Sequence, residues 1–123
     1  MADLKGRKVA VGKGTSAHNL LVAALEASGL QLSDIEPVYL PPADAAAAFA
    51  SDNVAAWSIW DPFLAIAETR YQPRVLVRSP EVLEVNTYFL ANRDFAKLRP
   101  QTITTVTRQL AEAATWADAN RDK

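Results

Sequence analysis

Three times before residue 71 a short apolar run gives way to a turn and then to residues spaced along one face of a helix, and this recurrence narrows the fold more than any other feature of the chain. Lys8-Val9-Ala10-Val11 stops at Gly12-Lys13-Gly14, as a buried strand ending in a flexible turn does. Thr15 and Ser16 then stand before Leu20, Leu21, Ala24 and Leu25, which share a helix face, and Ser28-Gly29 supplies the stop. Ile35 to Leu40 reads as a second strand. Pro41-Pro42-Ala43-Asp44 opens an Ala-rich helix ending near Ser51-Asp52-Asn53, where proline suits the first turn because no donor is needed there. Val54 to Trp60 is a third strand, and Asp61-Pro62 turns the chain into a short helix through Phe63, Leu64, Ile66 and Ala67. Such units in succession predict an α/β fold with a mostly parallel sheet, right-handed crossovers and helices on its faces.

The pattern then changes. Arg74 to Val77, after Gln72-Pro73, predicts a fourth strand. Val82 to Leu90, rich in β-formers at Val85, Thr87, Tyr88 and Phe89, predicts a long element that leaves the sheet's order, because no comparable helix follows it. Pro100 opens an amphipathic C-terminal helix with Ile103, Val106, Leu110, Ala113 and Trp116 at helical spacing.

With 123 residues the chain has the size of one domain and can bury a core without disulfides or metal. It has no cysteine, which excludes thiolate metal sites and thiol nucleophiles, and one histidine, which leaves a histidine-based triad or zinc site without its parts. Thirteen basic against fourteen acidic residues form no basic stripe, so nucleic acid is not an expected partner. No apolar run approaches the roughly 20 residues that cross a bilayer. The start Met1-Ala2-Asp3-Leu4 lacks the layout of a signal peptide, so the chain is expected to be either cytoplasmic or the mature segment of a longer exported protein.

The chemistry concentrates in two turns. Gly12-Lys13-Gly14-Thr15-Ser16 places backbone donors and two hydroxyls at a helix N-terminus, where free N–H groups and the positive end of the dipole favour an anion. The plainer reading has Thr15 or Ser16 capping its own helix, and no Gly-Lys-Ser/Thr follows as a Walker loop requires. His18, one turn into the helix, faces either a ligand mouth or the sheet, and core packing or a surface hydrogen bond is its plainer role. Trp60 and Asp61 stand at the carboxyl end of the third strand, where open α/β sheets place ligand contacts. Asp61 equally suits a helix cap and Trp60 the core. Trp57 and Trp60 lie at odd and even positions of one strand, so their indoles point to opposite faces, and Trp57 is the better core candidate. The carboxylates are scattered and no acid/base couple stands out.

Five stretches in register resemble the aliphatic sulfonate-binding family of periplasmic receptors: Lys5-Gly6-Arg7-Lys8-Val9-Ala10-Val11, Gly14-Thr15-Ser16-Ala17-His18-Asn19, Ser33-Asp34-Ile35, Pro42-Ala43-Asp44-Ala45 and Trp57-Ser58-Ile59-Trp60-Asp61-Pro62-Phe63. Each is short alone, but their order and spacing match from Asp3 to about Asn92. The closing stretch from Tyr88 to Phe95 is similar to the family's return crossing. Arg70 to Glu84 carries no clear family signature.

The resemblance implies one lobe of a type II periplasmic-binding-protein fold, residues 1–91 forming the ligand-binding lobe and residues 92–123 a returning helical segment of the partner lobe. The first lobe, the signal peptide and the final helices would lie outside this sequence. It further implies an ABC-importer component that binds a small anion of the alkanesulfonate, taurine or nitrate class without catalysis or cofactor, and that hands it to a membrane permease. Gly14, Thr15, Ser16, His18, Trp60 and Asp61 would contribute to the ligand site, with Asn86 on the crossing strand as a further candidate. A ligand-sensing domain of the same fold in a regulatory protein is the alternative. A small enzyme holding a phosphorylated substrate at Thr15-Ser16 is a third reading, short of an acid/base set. The apolar positions of the C-terminal helix, left without the other lobe, predict pairing with a second copy as a homodimer.

Overall fold

The computed structural model describes residues 1–86 and 88–121. The chain divides into two compact units, Met1–Asn86 and Thr87–Lys123. In the first unit the elements run β1 (Lys8–Val11), α1 (Ser16–Ala27), β2 (Glu36–Tyr39), α2 (Pro42–Ala50), β3 (Ala56–Ser58), α3 (Phe63–Tyr71) and the one-turn α4 (Ser79–Val82). Short 3-10 turns at Ala2–Leu4 and Leu32–Asp34 precede β1 and β2.

The three strands form one parallel sheet in the order β2-β1-β3. Because β1 is central, it is covered on both faces, which is why Val9, Ala10 and Val11 are all buried. Strand alternation sorts them. Val9 and Val11 meet Ala17, Leu21 and Leu25 of α1, together with Leu4 and Ile35, while Ala10 meets Ala45 of α2 and Val54 on the other face.

Local chemistry fixes the ends of α1. Thr15 is its N-cap. At the other end Gly29 adopts φ +74, its N–H reaches Glu26 O and the N–H of Leu30 reaches Leu25 O, both at 2.9 Å. That is the Schellman closure, with Leu30 folded onto the same core as Leu25. α2 ends in the same way with Asp52 at φ +56 in the place glycine usually takes.

Two expected strands are absent. Arg74–Val77 has no regular secondary structure, and Val82–Leu90 is not a long β element: Val82 closes α4, while residues 83–86 and 88–90 are irregular. Thr87, counted in that element, lies outside the described residues. The physical reason is that a strand is stabilised by its ladder, and among the described residues no backbone group of either run pairs with the sheet. β-branched content supplied candidates without neighbours. In the third predicted strand the ladder likewise spans only Ala56–Ser58.

The second unit contains α5 (Arg93–Leu98), capped by the Asn92 side chain, and α6 (Pro100–Ala119), with Pro100 in its first turn as expected.

Candidate functional site

β1 and β3 both end on the same side of the sheet, and the chain leaves them towards opposite faces. The Gly12–Thr15 turn leads into α1, which covers Val9 and Val11, whereas Trp60–Pro62 leads into α3, whose Tyr71 meets Phe49 of α2 with ring centroids 6.1 Å apart. In open α/β sheets a crevice forms where neighbouring strands send their connections to opposite faces, and ligands bind there. The two turns singled out in the sequence flank this point.

Within the first turn the hydrogen bonds separate what spacing could not. The Thr15 hydroxyl donates to Gly12 O at 2.7 Å and accepts from the N–H of His18 at 3.3 Å. Its proton is thereby committed inside the turn, and Thr15 acts as the cap. Ser16 is the first helical residue, exposed, and its hydroxyl has no hydrogen-bond partner among the described residues. The next free donors of the helix start are the N–H groups of Ser16 and Ala17, since those of His18 and Asn19 are taken by Thr15. Close approach explains Gly12: a Cβ there would sit 3.1 Å from Thr15 Cγ2 and 3.7 Å from Cη2 of Trp60. Gly14, at φ +75, supplies the left-handed residue of the turn.

His18 is half-buried. Its Nδ1 accepts the N–H of Gly14 at 3.2 Å, its ring stands edge-on to Tyr39 at 5.6 Å, and its Nε2 is buried with no partner among the described residues. Lys13 holds its ammonium 5.3 Å from the centre of the Tyr39 ring and makes no ion pair among the described residues, so it is the unneutralised cation of the turn.

From β3 the Ser58 hydroxyl donates to Ala17 O at 2.8 Å, tying the third strand to the first turn of α1. Trp57 and Trp60 take opposite faces as expected. Trp57 packs with Phe49, Ala10 and Val54, and Trp60 packs on the α1 side and meets Phe63 edge-on at 6.1 Å. Both are half-buried. Asp61 is exposed and precedes Pro62, the N-cap of α3, and its Oδ1 accepts the N–H of Ala65 in the first turn at 3.2 Å; the Asp61–Pro62 bond is cis. An apolar cavity of about 810 Å³ runs along β3, with Ser16, Trp60 and Asp61 at its carboxyl end and Leu4 and Arg7 at the other.

Asn86 is exposed and belongs to no regular element, and no hydrogen bond joins it to the Gly12–Ser16 turn among the described residues. Gly14, Thr15, Ser16, His18 and Trp60 are thus brought together, with Asp61 beside them and Asn86 not joined to them. Lys13, Tyr39 and Ser58 join this cluster through their contacts and were not singled out in the sequence as candidates. For Ser58 the signal was present, as a hydroxyl in an otherwise apolar strand. Tyr39 comes from a different strand and left no local trace.

With this geometry in place, comparison with known proteins gives a consistent result. The model of the NMT1-like family matches residues 1–123. The chain is similar to the periplasmic aliphatic sulphonate binding protein SsuA from Escherichia coli, with a TM-score of 0.87 and 43% identity over 98% of this chain and 42% of that one. It is also similar to the alkanesulfonate-binding protein SsuA from Xanthomonas axonopodis pv. citri bound to MOPS, with a TM-score of 0.85 and 38% identity over the same shares. The curated relative from Escherichia coli (strain K12), named for binding aliphatic sulfonates, is 42% identical over 123 residues, which is all of this chain and 39% of the relative. The chain therefore spans about two fifths of the proteins it matches.

Proposed function

The chain belongs to the NMT1-like family, and from that premise we propose that it is one lobe of the solute receptor of an ABC importer, binding a small anion of the alkanesulfonate, taurine or nitrate class. The observation that carries this reading is the set of uncommitted donors at the start of α1: the N–H groups of Ser16 and Ala17 and the Ser16 hydroxyl, beside Lys13 and at the carboxyl end of a parallel sheet. The helix dipole and unpaired N–H groups stabilise negative charge there, and Trp60 offers an apolar wall for the organic part of the ligand. Such a site binds and orients. It carries no acid/base couple, so the solute leaves unchanged for a permease. The names of the relatives describe binding proteins, two of them periplasmic or solved with a sulfonate buffer, and the proposed location of the parent protein is the periplasm.

A receptor built from two lobes surrounds its ligand, so this lobe alone supplies only part of the donors. Methanesulfonate is expected to bind the 123-residue chain more weakly than about 1 mM, the regime of roughly 4 kcal/mol. Amide shifts in a titration followed by NMR should centre on Ser16 and Ala17. An absence of shifts there at high millimolar ligand would refute the anion site, and micromolar affinity would refute the need for a second lobe. Pairing of α6 with a second copy is proposed as the chain's other partner, and its test is given below.

A further inference from the structure

We infer that His18 is a positioning residue for the anion-receiving turn: as a neutral imidazole it withholds the Gly14 N–H and fixes which donors the turn presents. The inference rests on the anion-site reading and says how that site is set. An imidazole nitrogen accepts a hydrogen bond only when unprotonated, so the bond from Gly14 N–H to Nδ1 at 3.2 Å leaves the single ring proton on Nε2. That second nitrogen is buried without a partner among the described residues, and the ring is held edge-on against Tyr39 at 5.6 Å. The tautomer is therefore set by the turn itself.

The consequence for binding follows from the backbone. Gly14 sits at φ +75, a conformation with little intrinsic preference over its alternatives for glycine. Among the described residues no other acceptor holds its N–H there. With Nδ1 in place, Gly14 N–H turns back onto the first turn of α1, and the uncommitted donors are the N–H groups of the exposed Ser16 and the buried Ala17. Without an acceptor at that point the Gly14 N–H is no longer held inward, although the Thr15 hydroxyl still ties the ends of the turn through Gly12 O. Against the imidazole stands the uncharged Tyr39 ring from β2, and the Lys13 ammonium over that ring is the charge of the same cluster.

Two substitutions separate acceptor from bulk. In His18→Asn the side-chain oxygen stands near the position of Nδ1, while in His18→Gln the polar group reaches the position of Nε2. NMR on the 123-residue chain would read the hydrogen exchange of the Gly14 amide without ligand, and the shifts of Ser16 and Ala17 with methanesulfonate. The expected outcome is that His18→Asn keeps Gly14 protected and keeps the affinity, whereas His18→Gln loses the protection and binds about fivefold more weakly, the equivalent of one net hydrogen bond. The inference is overturned if His18→Gln matches the wild type in both readouts. It is also overturned if both variants lose both, because packing against Tyr39 would then be the cause. Should wild-type Ser16 and Ala17 not respond to methanesulfonate, the anion reading falls, and Gly14 exchange in the two variants still decides whether His18 holds the turn.

Discussion

Replacing Thr15 and Ser16 one at a time should separate two roles that adjacent hydroxyls share in the sequence. In Thr15→Ala the N–H of His18 loses the Oγ1 acceptor at 3.3 Å and Gly12 O loses a donor at 2.7 Å. Loss of an N-cap of this kind costs about 1 kcal/mol, within a range of roughly 0.5–2. The second bond adds a further increment of about 0.5–1 kcal/mol for a partly buried carbonyl. Thr15→Ala is therefore expected to destabilise the first unit by about 1–2 kcal/mol, and Thr15→Ser by a few tenths, since it keeps both bonds. Ser16→Ala removes an exposed hydroxyl, without a partner among the described residues, from the first position of a helix, and should stay within about 0.5 kcal/mol of the wild type. Its effect falls on the anion instead, where one lost donor is worth about 1 kcal/mol, or roughly fivefold in affinity. Urea unfolding followed by tryptophan fluorescence reads the stability. Trp57 and Trp60 report the first unit, and a Trp116→Phe background removes the signal of the second. If Thr15→Ala proved as stable as the wild type while Ser16→Ala unfolded more readily, the assignment of cap and ligand donor would be refuted.

Asp34 gives a pH dependence of known sign. Its carboxylate accepts the N–H of Gln31 at 2.8 Å and lies 3.5 Å from Lys5, and these, the Gln31 bond first, hold its pKa below the ordinary value of 3.8. Its contribution is thus present above that ordinary value and lost as pH falls through the lower folded value. The difference in urea midpoint between wild type and Asp34→Asn should shrink from neutral pH to about pH 3, and a difference that stays constant would refute the linkage. In α6, Val106 and Trp116 are exposed, Trp116 at 63%, on the stripe that continues through the half-buried Ile103 and Leu110. Sedimentation at tens of micromolar is expected to show a dimer that Val106→Glu dissociates; a monomer at every concentration would refute pairing through this helix.

What the sequence revealed about this chain depends on the distance over which each feature is decided. β1, the Gly12–Gly14 turn and α1 were legible because every signal lies within a few residues: a cap at Thr15, an apolar face from Ala17 to Leu25, and a glycine at 29 that closes the helix through Leu30. The opposite facing of Trp57 and Trp60 was legible for the same reason, since period two belongs to the strand itself. Arg74–Val77 and Val82–Leu90 were misread because a strand is completed only by a neighbour, and β-formers cannot announce whether one is there. The site divides along the same line. Spacing placed hydroxyls, a histidine and an aromatic wall around one turn, but capping and ligand binding ask for the same side chains at the same positions. The distinction is made by where protons go: the Thr15 hydroxyl turns back to Gly12 O, Gly14 N–H turns back to His18, and Ser16, one residue further on, is left facing out. Tyr39 enters from β2 through the parallel register that sets Val11 opposite it, a pairing that no local pattern encodes. A substitution at Tyr39 should for that reason be felt first at His18, the residue whose ring it holds.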